Sequence, residues 1–355
     1  MSKMHANNDE YSIPSTRDNR FNKIKTHMKK IFFTSLFFSF LIIVTSCGGD
    51  KEKDTANQDQ QEDITLKKSQ EIVEINGVKH FIEKMGTGEP LLVLHGGPGL
   101  FHDYLVPGFE SLAKNYQLIF YDQRGCGKTE FPKDTSSIKI ETYVEDLEGI
   151  RNYLKIDKLN LIGHSWGTLI ALDYAKKYPT NLKRLILISP APSNSDYFDQ
   201  TFNNMQKKRT EADTKELIQT MMSKEFENRE EEAFRKAILL GDRVNLADQN
   251  KIEELYQPMI FDKVTANKLM VINSLLEKTY FNFNITTGLD VITCPTLIIY
   301  GDLDNVPFAS TQALQESIKG SQLMVIKKSS HYPFFESPKE FIHIIKNFLD
   351  PDYEE

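Results

Sequence analysis

Residues 159–168 constrain the fold more than any other stretch. An apolar, strand-like run, Leu159 to Ile162, ends abruptly in G-H-S-W-G at 163–167, and a helical pattern (Leu169, Ile170, Leu172, Tyr174, Ala175) begins at once. Strand, sharp turn and helix around G-x-S-x-G lift a serine hydroxyl clear of the carboxyl edge of a sheet. Such a turn crowds the residues two before and two after the serine, and Gly163 and Gly167 meet that demand. The helix start aims its N–H groups and positive dipole end at the place where negative charge would develop. Ser165 is therefore read as a nucleophile on a strand-to-helix turn.

The flanking sequence supplies the sheet. Continuous apolar runs at 90–94, 117–121, 182–189, 295–300 and 322–326 read as strands buried on both faces. Helical periodicity covers 142–154 and 338–349. This alternation predicts an α/β fold with a mostly parallel, doubly wound sheet. Residues 71–75 and 78–85, joined by Asn76 and Gly77, read as a β-hairpin. Between 193 and 289 no strand of comparable strength occurs, and helical stretches at 215–226, 230–240 and 266–280 predict a helical cap inserted after the sixth strand. The sheet core is then 71–192 plus 290–350.

A serine is a weak nucleophile at neutral pH and needs a base, which in turn needs an orienting carboxylate. Asp302 and Asp304 follow the strand at 295–300, and His331 follows the last strand in a polar loop. The other histidine after Ser165, His343, lies inside the amphipathic C-terminal helix, so His331 is the expected base. An oxyanion needs two backbone donors; Trp166, after the nucleophile, and Gly97, in the H-G-G-P-G turn after an early strand, are the candidates. This chemistry calls for no metal and no organic cofactor.

With 43 Lys and Arg against 50 Asp and Glu, the chain carries a formal charge of −7, which argues against a nucleic-acid partner. Cys47, Cys126 and Cys294 are scattered, with no metal-type spacing and no disulfide framework. Residues 1–47 read as an N-terminal extension and signal segment: Met28, Lys29 and Lys30 precede an apolar run at 31–44 that has the length of a signal-peptide core. Met28 is the expected initiator. The run ends in V-T-S-C, which resembles a bacterial lipobox; the resemblance implies lipidation of Cys47 and a membrane-anchored protein of the cell envelope, facing the periplasm or the outside. Residues 48–70 are polar and charged, the composition of a solvated tether.

Three motifs in one chain, H-G-G-P-G at 95–99, D-Q-R-G-C-G at 122–127 and G-H-S-W-G at 163–167, resemble the proline iminopeptidase family of α/β-hydrolases. The resemblance covers about 72–349 and implies a serine exopeptidase that releases N-terminal residues, often proline, from short peptides. It favours Asp304 over Asp302 as the orienting acid, because G-x-x-D before proline is the usual acid turn; Asp302 is then left to cap the turn. Family members hold the substrate's free amine with cap glutamates, and E-K-T-Y-F at 277–281 resembles that segment, which points to Glu277. Two features depart from the family pattern: His164 stands where many members have a second glycine, and the cap lacks a tryptophan–glutamate segment. A carboxylesterase or other amide or lactone hydrolase on the same scaffold is the alternative. Asp122, Gln123 and Arg124 are expected to brace the site, with an Asp122–Arg124 ion pair fixing their loop.

Overall fold

The computed structural model describes residues 67–277 and 283–350. The signal-like segment, Cys47 and nearly all of the tether lie outside the described residues, as do 278–282 of the cap.

The chain builds one eight-stranded sheet in the order β1-β2-β4-β3-β5-β6-β7-β8. Strands β1 (Lys68–Ile75) and β2 (Val78–Met85) form the hairpin, with Asn76 and Gly77 at positive φ as its turn requires. β1 starts inside the stretch read as tether because it is an edge strand; its first three residues, Lys68, Ser69 and Gln70, are exposed and carry no hydrophobic signal, yet Lys68 pairs with Met85. After β2 the sheet is parallel, through β3 (Glu89–Leu94), β4 (Tyr116–Tyr121), β5 (Leu159–His164), β6 (Leu182–Ile188), β7 (Thr296–Gly301) and β8 (Gln322–Ile326). Among the described residues the antiparallel pairings are β1 with β2 and β2 with β4.

Side-chain alternation gives the sheet two apolar layers. Leu91 and Val93 of β3 face one, with Phe109, Phe334 and Phe341, while Leu92 and Leu94 face the other, with Leu147, Leu169 and Leu172. The second layer is covered by α1 (Ile140–Tyr153) and α2 (Trp166–Lys177). β4 lies on one side of β3 and β5 on the other, so the loops after β3 and β5 flank the point where strand order reverses. Ligands of open α/β sheets bind at such a switch point.

Between β6 and β7 run α3 (Ser195–Lys208), α4 (Glu211–Met221), α5 (Glu231–Asp242) and α6 (Lys263–Leu276). An isolated bridge between Asn194 and Asn284, with Ile285 N–H donating to Ser193 C=O at 2.9 Å, closes the neck of this insertion. The continuous helix expected at 215–226 is broken: α4 stops at Met221, and Ser223 caps a separate turn, Lys224–Glu227, by accepting from Phe226 N–H at 3.1 Å. Serine offers the backbone this local alternative to the helix ladder. α6 begins three residues before the expected start because Asp262 caps it, accepting from Thr265 N–H at 2.8 Å. α7 (Phe308–Ser317) and α8 (Pro338–Leu349) complete the core.

The expected Asp122–Arg124 ion pair does not form, because each side chain has another partner. Arg124 donates through Nε and Nη2 to the two oxygens of Asp146 on α1, both at 2.7 Å, and the pair is almost fully buried. Arg124→Met would leave the Asp146 carboxylate buried with its main cation gone. The expected cost is about 3–5 kcal/mol, read as a fall in the urea midpoint at unchanged slope; a change under about 1 kcal/mol would contradict the role given to the pair. Burial pushes the Asp146 carboxyl up, but its hydrogen bonds with His80 and Arg124 outweigh that and hold it below the ordinary range. The contribution is therefore full above the ordinary aspartate pKa near 4 and fades as acid drives the pH through the lower folded value.

Candidate active site

Ser165 sits between β5 and α2 with φ 52° and ψ −121°, a strained conformation for a residue with a side chain. The two motif glycines make the turn possible. A Cβ on Gly163 would lie 2.8 Å from Gly167 O, and one on Gly167 would lie 2.7 Å from Leu94 O. Only hydrogen fits at either place.

His331 and Asp304 arrive from the loops after β8 and β7, which are zipped together. Leu303 N–H donates to Ser329 C=O at 2.9 Å, and Ser330 Oγ donates to Leu303 C=O at 3.1 Å. Asp302 does not cap its own turn; it accepts from Lys328 N–H at 2.7 Å and so ties the two loops. Asp304 makes the turn bond itself, Oδ1 accepting from Val306 N–H at 3.0 Å. That leaves Oδ2 at 2.9 Å from His331 Nδ1, while His331 Nε2 lies 2.8 Å from Ser165 Oγ. The Asp304 side chain is 1% exposed and that of His331 is 11% exposed. A hydroxyl in this position can pass its proton to the imidazole, and the buried carboxylate fixes the ring's tautomer and favours its charged form.

Burial alone would push the His331 imidazole down; the charge and hydrogen bond of Asp304, with the charges of Asp242 and Glu336, outweigh it and raise the pKa above 6.5. Any step that needs neutral His331 should therefore lose rate on acidification with a midpoint above the ordinary histidine value near 6.5. A pH profile of kcat/KM checks this; a midpoint below 6 would refute it.

The H-G-G-P-G loop runs directly against the nucleophile. A Cβ on Gly96 would lie 3.2 Å from Ser165 Cβ, and Gly97 has φ 138°, which only glycine adopts readily. Trp166 opens α2, so its amide belongs to the helix N-terminus, and its indole donates to Gln123 Oε1 at 3.1 Å. Gln123 Nε2 in turn donates to His95 C=O at 2.7 Å, and Asp122 accepts from His102 Nδ1 at 2.7 Å and from Lys128 N–H at 2.7 Å. The D-Q-R loop thus braces both neighbours.

His164, the residue before the nucleophile, carries a role its sequence position did not reveal. Its Nε2 lies 3.0 Å from His331 C=O, and a carbonyl can only accept, so Nε2 holds the hydrogen. Its Nδ1 then accepts from Tyr104 O–H at 2.7 Å, and the Tyr104 oxygen accepts from Gly96 N–H at 2.7 Å. Burial, helped by the nearby charge of His331, holds His164 well below the ordinary histidine range, consistent with this neutral chain of donors. The strut links three loops that are far apart in sequence.

A model of the alpha/beta hydrolase fold family matches residues 89–338. The proline iminopeptidase of Saccharolobus solfataricus is 33% identical over 279 residues, covering 76% of this chain and 87% of that protein. That of Heyndrickxia coagulans is 31% identical over 275 residues, covering 76% of this chain and 93% of its own length. The chain belongs to the proline iminopeptidase family. The crystal structure of the Mycobacterium smegmatis proline iminopeptidase superposes at a TM-score of 0.59 over 80% of this chain and 98% of that one; at 20% identity this shows the shared fold.

In this member of the proline iminopeptidase family the helical insertion is fastened to the loops around Ser165. From α6, Lys268 Nζ donates to Gly127 C=O at 2.8 Å and Thr129 C=O at 2.7 Å, and Asn273 Nδ2 donates to Pro98 C=O at 2.9 Å. Glu277, half-buried, follows Asn273 by four residues in unbroken helical conformation, so it shares the helix face that meets the H-G-G-P-G loop. From the end of α5, Asp242 accepts from Tyr332 O–H at 2.6 Å and Tyr256 O–H at 2.9 Å, next to His331. Sequence reading missed Asp242, because an acid at the end of a charged helix looks like any solvated one.

Proposed function

We propose that this protein is a serine aminopeptidase of the proline iminopeptidase type, which removes the N-terminal residue from short peptides through an acyl-enzyme. Ser165 attacks the carbonyl, and His331 takes its proton and returns it to the departing amine. Asp304 holds the His331 tautomer, and the N–H groups of Gly97 and Trp166 receive the oxyanion. Losing either donor would raise the barrier by roughly 3–4 kcal/mol. The observation that carries the reading is the continuous chain Asp304–His331–Ser165, at 2.9 and 2.8 Å, beneath an inserted cap. The named relatives support the peptidase over other serine hydrolases. Two cap carboxylates, Glu277 and Asp242, are the partners for the substrate's ammonium group.

Release of a chromogenic amine from prolyl, alanyl and N-blocked prolyl substrates, beside nitrophenol release from short acyl esters, tests this. Cleavage of free-amine amides that N-blocking abolishes is the expected result. Turnover of esters alone would replace the peptidase with an esterase. Glu277→Gln should raise KM for free-amine substrates about tenfold and leave ester turnover within about twofold, the pattern of a lost charge-assisted contact. Asp242→Asn should raise the same KM and also lower the acid midpoint of kcat/KM on every substrate, because its charge helps to raise His331.

The N-terminal signal is part of the same reading: Cys47 is lipidated and tethers the enzyme to the cell-envelope membrane. Incorporation of a fatty-acid label into the intact chain, abolished by Cys47→Ser, is the expected outcome; a label-free protein in the soluble fraction would end it.

A further inference from the structure

We propose that Glu336 is the positioning residue of the base: its carboxylate holds both peptide flanks of His331 and fastens them to the cap backbone at Ala247. The inference rests on the catalytic reading above and extends it to a residue that touches neither substrate nor Ser165.

Glu336 closes the short helical turn Pro333–Glu336, five residues beyond the base. Its side chain folds back over the loop. Oε2 accepts from Ser330 N–H at 2.7 Å and from Tyr332 N–H and Ser329 O–H, both at 3.3 Å. Oε1 accepts from Ala247 N–H at 2.6 Å, a residue of the insertion. The amide between those two flanks, His331 N–H, donates to Asn245 C=O of the same cap segment at 3.0 Å. Three consecutive amides are thus claimed by one carboxylate and one cap carbonyl, and the His331 carbonyl is claimed by His164 at 3.0 Å.

A base must hold its nitrogen against the nucleophile while it gains and loses a proton. The side chain of His331 reaches Ser165 from a loop at the end of β8, and a small rotation of that loop moves Nε2 off line. A misplacement of about 1 Å at a reacting group costs on the order of 100-fold in rate. Glu336 is placed to prevent this rotation, and it makes the cap segment 245–247 part of the support. The carboxylate also joins Asp304 and Asp242 among the negative groups that face His331, with His164 neutral on the remaining side.

The test compares Glu336→Gln and Glu336→Asp with the wild type. Gln keeps the volume, loses the charge and turns an NH2 group toward a backbone donor. Asp keeps the charge and loses the reach. For Gln, kcat should fall about 100-fold with KM within about threefold, and the acid midpoint of the profile should move down. For Asp, the rate should fall while the midpoint stays. Labelling of Ser165 by a fluorophosphonate, which needs no assigned substrate, should slow in parallel. Variants that lose thermal stability but keep wild-type kcat, midpoint and labelling rate would overturn the proposal and leave Glu336 a structural residue. An Asp variant with wild-type rate would also overturn it, since charge without reach would then suffice. A wild-type protein that the fluorophosphonate does not label would instead refute the catalytic reading. In that case the NMR titration of His331 still decides, because an Nδ1–H signal unmoved in both variants, with the midpoint of the Gln variant also unmoved, would refute positioning.

Discussion

Ser165→Ala is expected to lower kcat by about 10⁶-fold with the fold unchanged, the scale on which loss of a serine nucleophile acts when base and acid work only through it. Deleting one oxygen removes no packing, since the Ser165 side chain lies at a partly open turn, and the φ of 52° is imposed by its neighbours. Wild-type thermal stability together with loss of prolyl-amide turnover and of fluorophosphonate labelling is the predicted pair of results. A purified variant that kept more than about 1% of activity would mean that another group attacks the carbonyl.

Asp304→Asn should lower kcat by about 10⁴-fold, the scale of a wrong tautomer at the base. The carboxylate contributes in two separable ways. Oδ2 meets Nδ1 of His331 at 2.9 Å, which fixes the ring's hydrogen on that side and leaves Nε2 free to accept from Ser165. Its charge is also the largest of the influences that raise His331 against burial. Asn presents either an N–H that forces the wrong tautomer or a weaker acceptor without charge. The acid midpoint of kcat/KM should therefore move down as the rate falls. A variant with lower kcat but an unmoved midpoint would show that Asp304 orients His331 without stabilising its charged form.

The parts of the site that carry local signals were legible. Ser165 is announced by two glycines and a strand–helix boundary, and His331 and Asp304 by polar loops after buried strands; the structure brings those three side chains within hydrogen-bond reach of one another. The supporting shell was not legible, because its members meet across long sequence separations. Tyr104 and His164 are sixty residues apart and look like ordinary core residues, while Glu336 and Ala247 belong to different layers. The Asp122–Arg124 pair was misjudged for the same reason: adjacency in sequence suggested it, but His102 and Asp146 arrive from elsewhere with better geometry. β1 was read too short because an edge strand that faces water needs no apolar residues.

The fastening of α6 has a consequence for how such an enzyme can change. Its Lys268, Leu269 and Asn273 grip the same turns that hold Gly97 and Gly127, with Leu269 Cα only 3.1 Å from where a Cβ on Gly99 would stand. This cap helix is thereby tied to the backbone that borders Ser165. Substitutions in α6 therefore disturb the H-G-G-P-G loop in the same stroke, so the cap and the backbone beside Ser165 cannot be altered independently from this side.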